Sequence, residues 1–360
     1  MATKKIALLS GDGIGPEVVE QAVKVLRALE ERTHVQFNFT PASIGADAIK
    51  KTGNPLPDET LAICRASDAI LFGAIGSPEF DNNPNAKVRP EQGLLKLRKE
   101  LGLFANIRPV KLFPSISHLS PLKEEIIRNV DFIVFRELTG GIYFGKKELS
   151  EDGRTASDVC EYSEFEILRI AKLAFEAART RRKKLTLVDK ANVLETSRLW
   201  RRAVKELAKK YPEVELETMY VDNAAMKFIM NPSAFDVVLT ENMFGDILTD
   251  EASVISGSLG LMPSASIGNK VSLYEPIHGS YPEAAGKGIA NPIGAILSAA
   301  MMLEYSFGMK TEAAMIQNAV NEALHGGIVT KDLNSQNFYL TSEIGDTVAS
   351  LVKQEIAEYA

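Results

Sequence analysis

Ile6-Ala7-Leu8-Leu9-Ser10-Gly11-Asp12-Gly13-Ile14-Gly15-Pro16-Glu17 is the stretch whose reading decides the fold. Its four leading apolar residues make a buried-strand pattern and its glycines a turn. Pro16 stands in the first turn of a helix, where a missing N–H costs nothing because it has no intrahelical partner. Val18, Ala22, Val25, Leu26 and Leu29 continue as an apolar stripe at helical spacing. Strand, glycine turn and helix also open a dinucleotide-binding Rossmann unit, but that reading fails here. The third glycine of G-x-G-x-x-G would fall on Pro16, and no acidic residue ending a second strand is placed for a ribose. From the motif alone, a tight strand-to-helix turn and a cofactor contact stand equal.

Outward from that turn, short β-like runs alternate with amphipathic helical segments, the pattern of an α/β fold. Strands are expected at residues 35–39, 69–72, 107–110, 132–135, 185–188 and 237–240, and helices at 164–181, 196–210, 291–307 and 311–324. No internal repeat or low-complexity tract interrupts them. The polar segment 145–162, with its Glu151-Asp152-Gly153 turn, reads either as a disordered loop or as a hairpin arm reaching to another subunit.

At 360 residues the chain has room for about two domains. A net charge of −6 argues against a nucleic-acid partner, and it requires any anionic substrate to be drawn by a local cluster of cations. Cys64 and Cys160 match neither a disulfide framework nor a metal-ligand spacing. The strand-like run from Ile6 leaves no room for a leader peptide before it. The longest apolar stretch, Ile293 to Leu303, is too short for a bilayer. The expectation is a cytoplasmic protein with no membrane partner.

Asp246 and Asp250 stand four apart on an expected helix in Glu241-Asn242-Met243-Phe244-Gly245-Asp246-Ile247-Leu248-Thr249-Asp250-Glu251. That spacing puts two carboxylates on one face, where they repel unless a cation lies between them. Asp222 opens another helix, and three carboxylates suit Mg²⁺ or Mn²⁺. A solvated helix face is the alternative for an arbitrary pair, but the apolar and glycine-rich surroundings favour a buried site. Arg98, Arg108 and Arg136 form a second set. Arg108 and Arg136 lie at or just past strand ends, where open α/β sheets place ligands, and guanidinium binds carboxylate bidentately. Lys190 ends a strand; beside a dication and arginines its charged form would be disfavoured, leaving a base. Without that context it is a solvated strand-end lysine. Tyr143 is either a proton donor or half-buried packing. The loop Glu275-Pro276-Ile277-His278-Gly279-Ser280-Tyr281-Pro282-Glu283 has the length and turn formers to wrap a nucleotide, with Glu283 accepting from ribose hydroxyls.

Taken jointly, these segments resemble the isocitrate and isopropylmalate dehydrogenase family over essentially the entire chain. Asn242 to Glu251 continuing through Gly257-Ser258-Leu259-Gly260-Leu261-Met262-Pro263, and Val188-Asp189-Lys190-Ala191-Asn192-Val193-Leu194, are the stretches most specific for it. The resemblance implies two α/β domains sharing a central sheet, in the family's own fold and not the Rossmann one. Residues 1–103 with 257–360 would form a discontinuous cofactor-binding domain. Residues 104–256 would form the metal and dimerisation domain, with an intersubunit arm at about 145–162.

By the same resemblance, Asp222, Asp246 and Asp250 match metal ligands for Mg²⁺ or Mn²⁺. Arg98, Arg108 and Arg136 match substrate-carboxylate arginines, and Lys190 and Tyr143 the catalytic base and acid. Asn192 and Val193 join the substrate contacts, and Lys190, Asn192, Val193 and Asp222 would be donated across a homodimer. Cofactor contacts fall on Ile14, Ser77, Glu91, Glu275, His278, Gly279, Ser280, Tyr281, Glu283, Ala284 and Asn291.

Leu94 and Leu95 stand where isocitrate enzymes place Ser and Asn. An apolar wall there suits an isopropyl group and would leave a carboxylate unpaired. The implied reaction is oxidative decarboxylation of 3-isopropylmalate to 4-methyl-2-oxopentanoate in leucine biosynthesis. The family's malate and tartrate enzymes also carry two leucines, but with Trp-Gly-Ser before them, where this chain has Glu91. They remain the nearest alternative. A non-catalytic regulatory subunit is another, and it should lack part of the Lys-Tyr-Asp set that is complete here. Tyr281-Pro282-Glu283 departs from the family's Ala-Pro-Asp. Glu283 and Ala284 replace the Lys and Tyr of NADP-specific relatives, which implies NAD.

Overall fold

The computed structural model describes residues 2–31, 33–83 and 86–358. In chain order the first elements are β1 (Ala2–Gly11), α1 (Gly15–Glu30), β2 (Val35–Pro41), α2 (Gly45–Thr52), α3 (Asp58–Ala66), β3 (Ala69–Ala74), α4 (Pro78–Asp81) and α5 (Pro90–Leu101). Next come β4 (Ala105–Lys111), α6 (Glu124–Ile127), β5 (Asp131–Glu137), β6 (Lys147–Leu149), β7 (Ala156–Asp158), α7 (Glu164–Thr180), β8 (Lys184–Asp189), α8 (Glu195–Ala208), β9 (Glu215–Tyr220) and α9 (Val221–Met230). The chain continues through β10 (Val237–Thr240), α10 (Asn242–Ser256), β11 (Pro263–Ile267), β12 (Leu273–Pro276), α11 (Ile293–Tyr305), α12 (Lys310–His325) and α13 (Thr341–Glu358). The class is α/β, as the alternation of periods predicts, and all seven strands and four long helices read from the sequence are present within a few residues.

Two compact units divide the chain. Unit 1 comprises Met1–Leu103, Phe113–Pro121 and Ser256–Ala360; unit 2 comprises Phe104–Leu112 and Leu122–Ile255. In unit 1 the strands lie in the order β2-β1-β3-β12-β11. β1 pairs in parallel with both β2 and β3, and β11 runs antiparallel to β12. α1 turns Val18, Val19, Ala22, Val25, Leu26 and Leu29 inward, the stripe seen in the sequence. α11 is buried from Ile293 through Leu303, which identifies the longest apolar stretch as an interior helix packed by α1 and α12. Among the described residues no helix is long and apolar enough to cross a membrane.

The Gly11–Gly15 turn is held by its own aspartate. Asp12 is buried, and its carboxylate accepts the backbone N–H groups of Ala46 and Gly76, joining the turn to the start of α2 and to the end of β3. Gly13, at φ +58°, lies so close to the next loop that a Cβ would sit 2.0 Å from the carbonyl oxygen of Ser280. Packing against that loop gives these glycines a structural requirement independent of the Rossmann pattern.

Unit 2 orders its strands β4-β5-β10-β8-β9, with β4 antiparallel to β5 and the rest parallel. α7 begins on a capping box: the Ser163 hydroxyl accepts the Glu166 N–H while the Glu166 carboxylate accepts the Ser163 N–H. Its buried face is Ile167, Ile170, Ala171, Ala174, Phe175 and Ala178. The segment 145–162 contains an antiparallel hairpin of β6 and β7, pairing Lys147 with Asp158 through Leu149 with Ala156. Of the two sequence readings of that segment, the structure has the hairpin.

Candidate active site

Within unit 2, β5 ends at Arg136 and Glu137, and α10 begins after the neighbouring strand β10. Arg136 is 2% exposed. Its Nε donates to the Asn242 carbonyl at 2.9 Å, one terminal nitrogen donates to Asn242 Oδ1 at 2.8 Å, and the other donates to Asp246 Oδ1. A Cβ on Gly245 would sit 2.6 Å from Arg136 Cγ, so glycine is what allows this turn of α10 to lie against the arginine stem. Arg108, on β4 and also buried, donates to Asn106 Oδ1 and to Thr249 Oγ1, each at 2.5 Å. Its other ion-pair distances are 3.5 Å to Asp246 and 3.8 Å to Asp250. Asp246, Thr249 and Asp250 thus share one face of α10, the face the i, i+4 spacing predicts, and it meets two guanidinium groups.

Tyr143 completes the group. Its hydroxyl donates to Asp246 Oδ2 at 2.9 Å, and its ring lies 5.7 Å from the Arg136 guanidinium carbon. The loop that carries it is anchored by Glu137, a fully buried carboxylate that accepts the N–H groups of Thr139 and Gly140 and pairs with Arg169. Burial pushes the Tyr143 phenol above its ordinary value, and Asp246 adds to the push, so the hydroxyl keeps its proton through neutral pH. Desolvation raises the Asp250 carboxyl, opposed by Arg108 and reinforced by Asp246. A cation added beside Asp250 would relieve both raising effects.

Lys190 and Asp222 lie elsewhere in unit 2. Lys190 Nζ donates to Asp222 Oδ1, and the lysine holds the Asp222 carboxyl below its usual value. The neighbour of Lys190 within the chain is therefore a carboxylate, one of the residues expected to be donated with it across a homodimer. Asn192 and Val193 follow on the same exposed turn. Among the described residues, no three His, Cys, Asp or Glu side chains come together as an ion-holding group. Asp246 and Asp250 nonetheless fit a hard dication, because Mg²⁺ is commonly held by one or two carboxylates with water and substrate oxygens filling the octahedron.

In unit 1, Arg98 on α5 pairs with Glu275 at 2.9 Å, both largely buried, so Glu275 is occupied by an arginine. The Arg98 Nε is buried and has no hydrogen-bond partner. Leu94 packs into the core with Leu97, Phe72 and Leu273, while Leu95 is half-buried on the same helix. A cavity of about 400 Å³ is lined by Ile14, Ser258, Leu259, Gly260, His278, Gly279, Tyr281, Ile289, Ala290, Asn291, Lys331 and Asp332. That volume falls in the range of small-molecule and cofactor sites.

Five residues expected at a cofactor, Ile14, His278, Gly279, Tyr281 and Asn291, line this cavity. Ser77, Glu91, Ser280, Glu283 and Ala284 are not among its lining residues; Ala284 is buried and Glu283 exposed. The His278 Nε2 is buried without a hydrogen-bond partner, and burial lowers the pKa of the ring, which favours neutral imidazole. Tyr281 holds φ +39°, a strained value for a tyrosine, at the edge of the cavity. Asp332 accepts from Ser258 and Asn291.

Sequence reasoning passed over the residues that orient the arginines: Asn242, Thr249 and Asn106. Asn242 lies inside the motif already singled out, so an arginine in need of an acceptor was the available signal. Ser258 lies in a stretch singled out in the sequence but was given no role, and Asp332 was missed because a short polar residue in a loop carries no periodic mark.

The family model described as isocitrate/isopropylmalate dehydrogenase matches residues 5–348. A 3-isopropylmalate dehydrogenase of Aquifex aeolicus is 55% identical over 353 residues, 97% of each chain. One from Bacillus subtilis is 53% identical over 358 residues, 98% of each. Among solved structures, isocitrate dehydrogenase from Methylococcus capsulatus superposes with TM-score 0.88 at 37% identity, covering 98% of this chain and 100% of that one. A β-decarboxylating dehydrogenase from Thermococcus kodakarensis gives 0.80 at 36%, covering 98% and 97%.

Proposed function

The chain belongs to the isocitrate/isopropylmalate dehydrogenase family, and from that premise we propose that it oxidises and decarboxylates 3-isopropylmalate with NAD and a divalent ion, in leucine biosynthesis. The observation that carries the chemistry is the unit 2 cluster of two buried arginines, two carboxylates and a protonated phenol on one helix face. The substrate follows from the names of the relatives at above 50% identity. It is supported by Leu94 and Leu95, which offer no hydrogen bond to the extra carboxylate of isocitrate.

Asp246 and Asp250, with Asp222, would hold the ion. When bound, the ion supplies Lewis-acid stabilisation of negative charge on substrate oxygens, and NAD supplies the acceptor for hydride. Arg108 and Arg136 bind and orient substrate carboxylate. Arg108 and Arg136 are fixed by Asn106, Thr249 and Asn242, so little ordering is needed when substrate arrives. Lys190 Nζ, in its neutral amine form, takes the proton of the C2 hydroxyl as the C2–H electron pair leaves. The C3–carboxylate bond of the resulting β-keto acid then breaks, releasing CO₂, and the Tyr143 hydroxyl delivers a proton to C3.

A homodimer with shared sites fits the surface of unit 2. Leu149, Val159, Phe165, Val193, Met226, Met230 and Ile247 are all exposed there, apolar side chains that a second copy could cover. Under this reading a second copy covers them and supplies Lys190, Asn192, Val193 and Asp222. The test is NADH formation with isopropylmalate, D-malate, tartrate and isocitrate, each with and without Mg²⁺. Turnover should be greatest with isopropylmalate, require the ion and release one CO₂ per NADH. Faster turnover of malate or tartrate would move the chain to that branch, and NADH without CO₂ would refute decarboxylation.

A further inference from the structure

Lys190 is carried by the turn that leaves β8, and the geometry of that turn is set by one face of α8. Ser197 Oγ accepts the Lys190 backbone N–H at 3.0 Å. Four residues on, Arg201 clasps the preceding residue: its Nε and one terminal nitrogen donate to the two oxygens of Asp189 at 2.8 and 2.7 Å. Asp189 is 2% exposed and also accepts the Ala191 N–H at 3.0 Å, so its carboxylate braces the turn on both sides of Lys190. The Arg201 guanidinium also lies over the Tyr220 ring, 5.1 Å from its centroid. Tyr220 is the register partner of Asp189 and closes the neighbouring strand β9, two residues before Asp222.

We propose that Arg201 is a positioning residue for Lys190: by joining Asp189 to Tyr220 it fixes where β8 releases the lysine beside the helix that carries Asp222. This rests on the assignment of Lys190 as the base. An arginine is suited to the task, because its planar fork meets both carboxylate oxygens while its face stacks on the phenol ring; a lysine can do only one of these at a time. Misplacing a base by about 1 Å costs on the order of 100-fold in rate, so the clasp acts on turnover without touching substrate.

The test is a double-mutant cycle. Arg201→Lys and Arg201→Ala are made in the native chain and in Lys190→Ala, the latter assayed with added ethylamine as a free base. In the native background Arg201→Ala should lower kcat about 10- to 100-fold, with a smaller loss for Arg201→Lys. In the amine-assisted background both should change the rate by less than about twofold, since a diffusing amine is not carried on the β8 turn. Arg201→Lys keeps a cation beside the buried Asp189 and guards against simple loss of folding. Equal losses in both backgrounds would make Arg201 a general structural residue and overturn the proposal, as would unchanged kcat in both variants. Retention of the wild-type rate by Lys190→Ala alone would refute the base assignment, and the proposal with it, without reference to any Arg201 variant.

Discussion

Two pairings of cation and carboxylate in unit 2 use the same charges in opposite settings. At Arg136, Arg108 and Asp246 the guanidinium groups are buried, and amide and hydroxyl groups supplied by β4 and α10 hold them. At Lys190 and Asp222 the side chains are 29% and 61% exposed, and an ion pair in water is weakly held. The first setting resembles a preorganised anion receptor, whose cost is met during folding. The second is an exposed ion pair carried on a braced turn. The difference teaches that a single chain completes its buried arginine cluster by itself and, under the proposed function, leaves the proton-moving pair facing outward.

The largest expected effect breaks the exposed pair. Lys190→Met should lower kcat by about 10²- to 10⁴-fold, the usual contribution of a general base, while substrate KM changes little. Near-normal kcat would return Lys190 to a solvated strand-end residue.

A second effect links the halves through Glu241, which precedes Asn242 and interacts with Asp189. Burial, with Asp189 reinforcing it, pushes this carboxyl up to about 7, and its Oε2 is buried without a hydrogen-bond partner. Below the ordinary value of 4.5 the group is neutral in both folded and unfolded chains, and above about 7 it is charged in both, so the fold then bears the full penalty. Stability should therefore fall by about 3 kcal/mol as pH rises across that window. Glu241→Gln should remove this fall, seen as denaturation midpoints at pH 5 and pH 8 that converge relative to wild type. Parallel curves for the two proteins would show that Glu241 ionises normally.

In unit 1, Glu283 is an exposed carboxylate on the loop that carries Tyr281 to the cavity. Wild type should prefer NAD, because a 2′-phosphate meets like charge there. Glu283→Lys should raise the NADP-to-NAD ratio of kcat/KM by about 10- to 100-fold. Ala284 is buried, so a tyrosine at that position would overpack the loop and the single substitution is the sounder probe. Equal use of both cofactors by wild type would remove Glu283 from ribose recognition. The smallest effect is at Asp250: Asp250→Asn should raise the Mg²⁺ concentration for half-activity several-fold, since one of its charged oxygens is lost. An unchanged metal titration would leave Asp250 as a solvated helix residue.

Much of the fold is legible in the sequence because buried parallel strands write themselves as continuous apolar runs, as at Ile6–Leu9 and Val237–Leu239. Five strands do not, the short hairpin pair β6 (Lys-Glu-Leu) and β7 (Ala-Ser-Asp) among them. β9 is an edge strand reading Glu-Leu-Glu-Thr-Met-Tyr, whose acidic side chains blur its alternation. β11 is Pro-Ser-Ala-Ser-Ile and β12 ends in proline, compositions that score as loop. Of the site, the Asp246–Asp250 face was legible from period alone, and the arginines from strand ends. The neighbour of Lys190 was not, because it depends on β8 and β9 being adjacent, and the second of these strands left no mark. Arg201 likewise reads as one more charge on the polar face of α8 until the register of Asp189 with Tyr220 is known.

Recovery of activity from two inactive variants tests the shared site most directly. Arg108→Ala damages the receptor half and Asp222→Ala the half presented outward. In a twofold dimer with shared sites, each heterodimer contains one site with both defects and one with neither. After full subunit exchange at equal amounts, about a quarter of wild-type activity should return. No recovery, with exchange demonstrated by heterodimer isolation, would contradict donation of Asp222 by a second copy and confine each active site to a single chain.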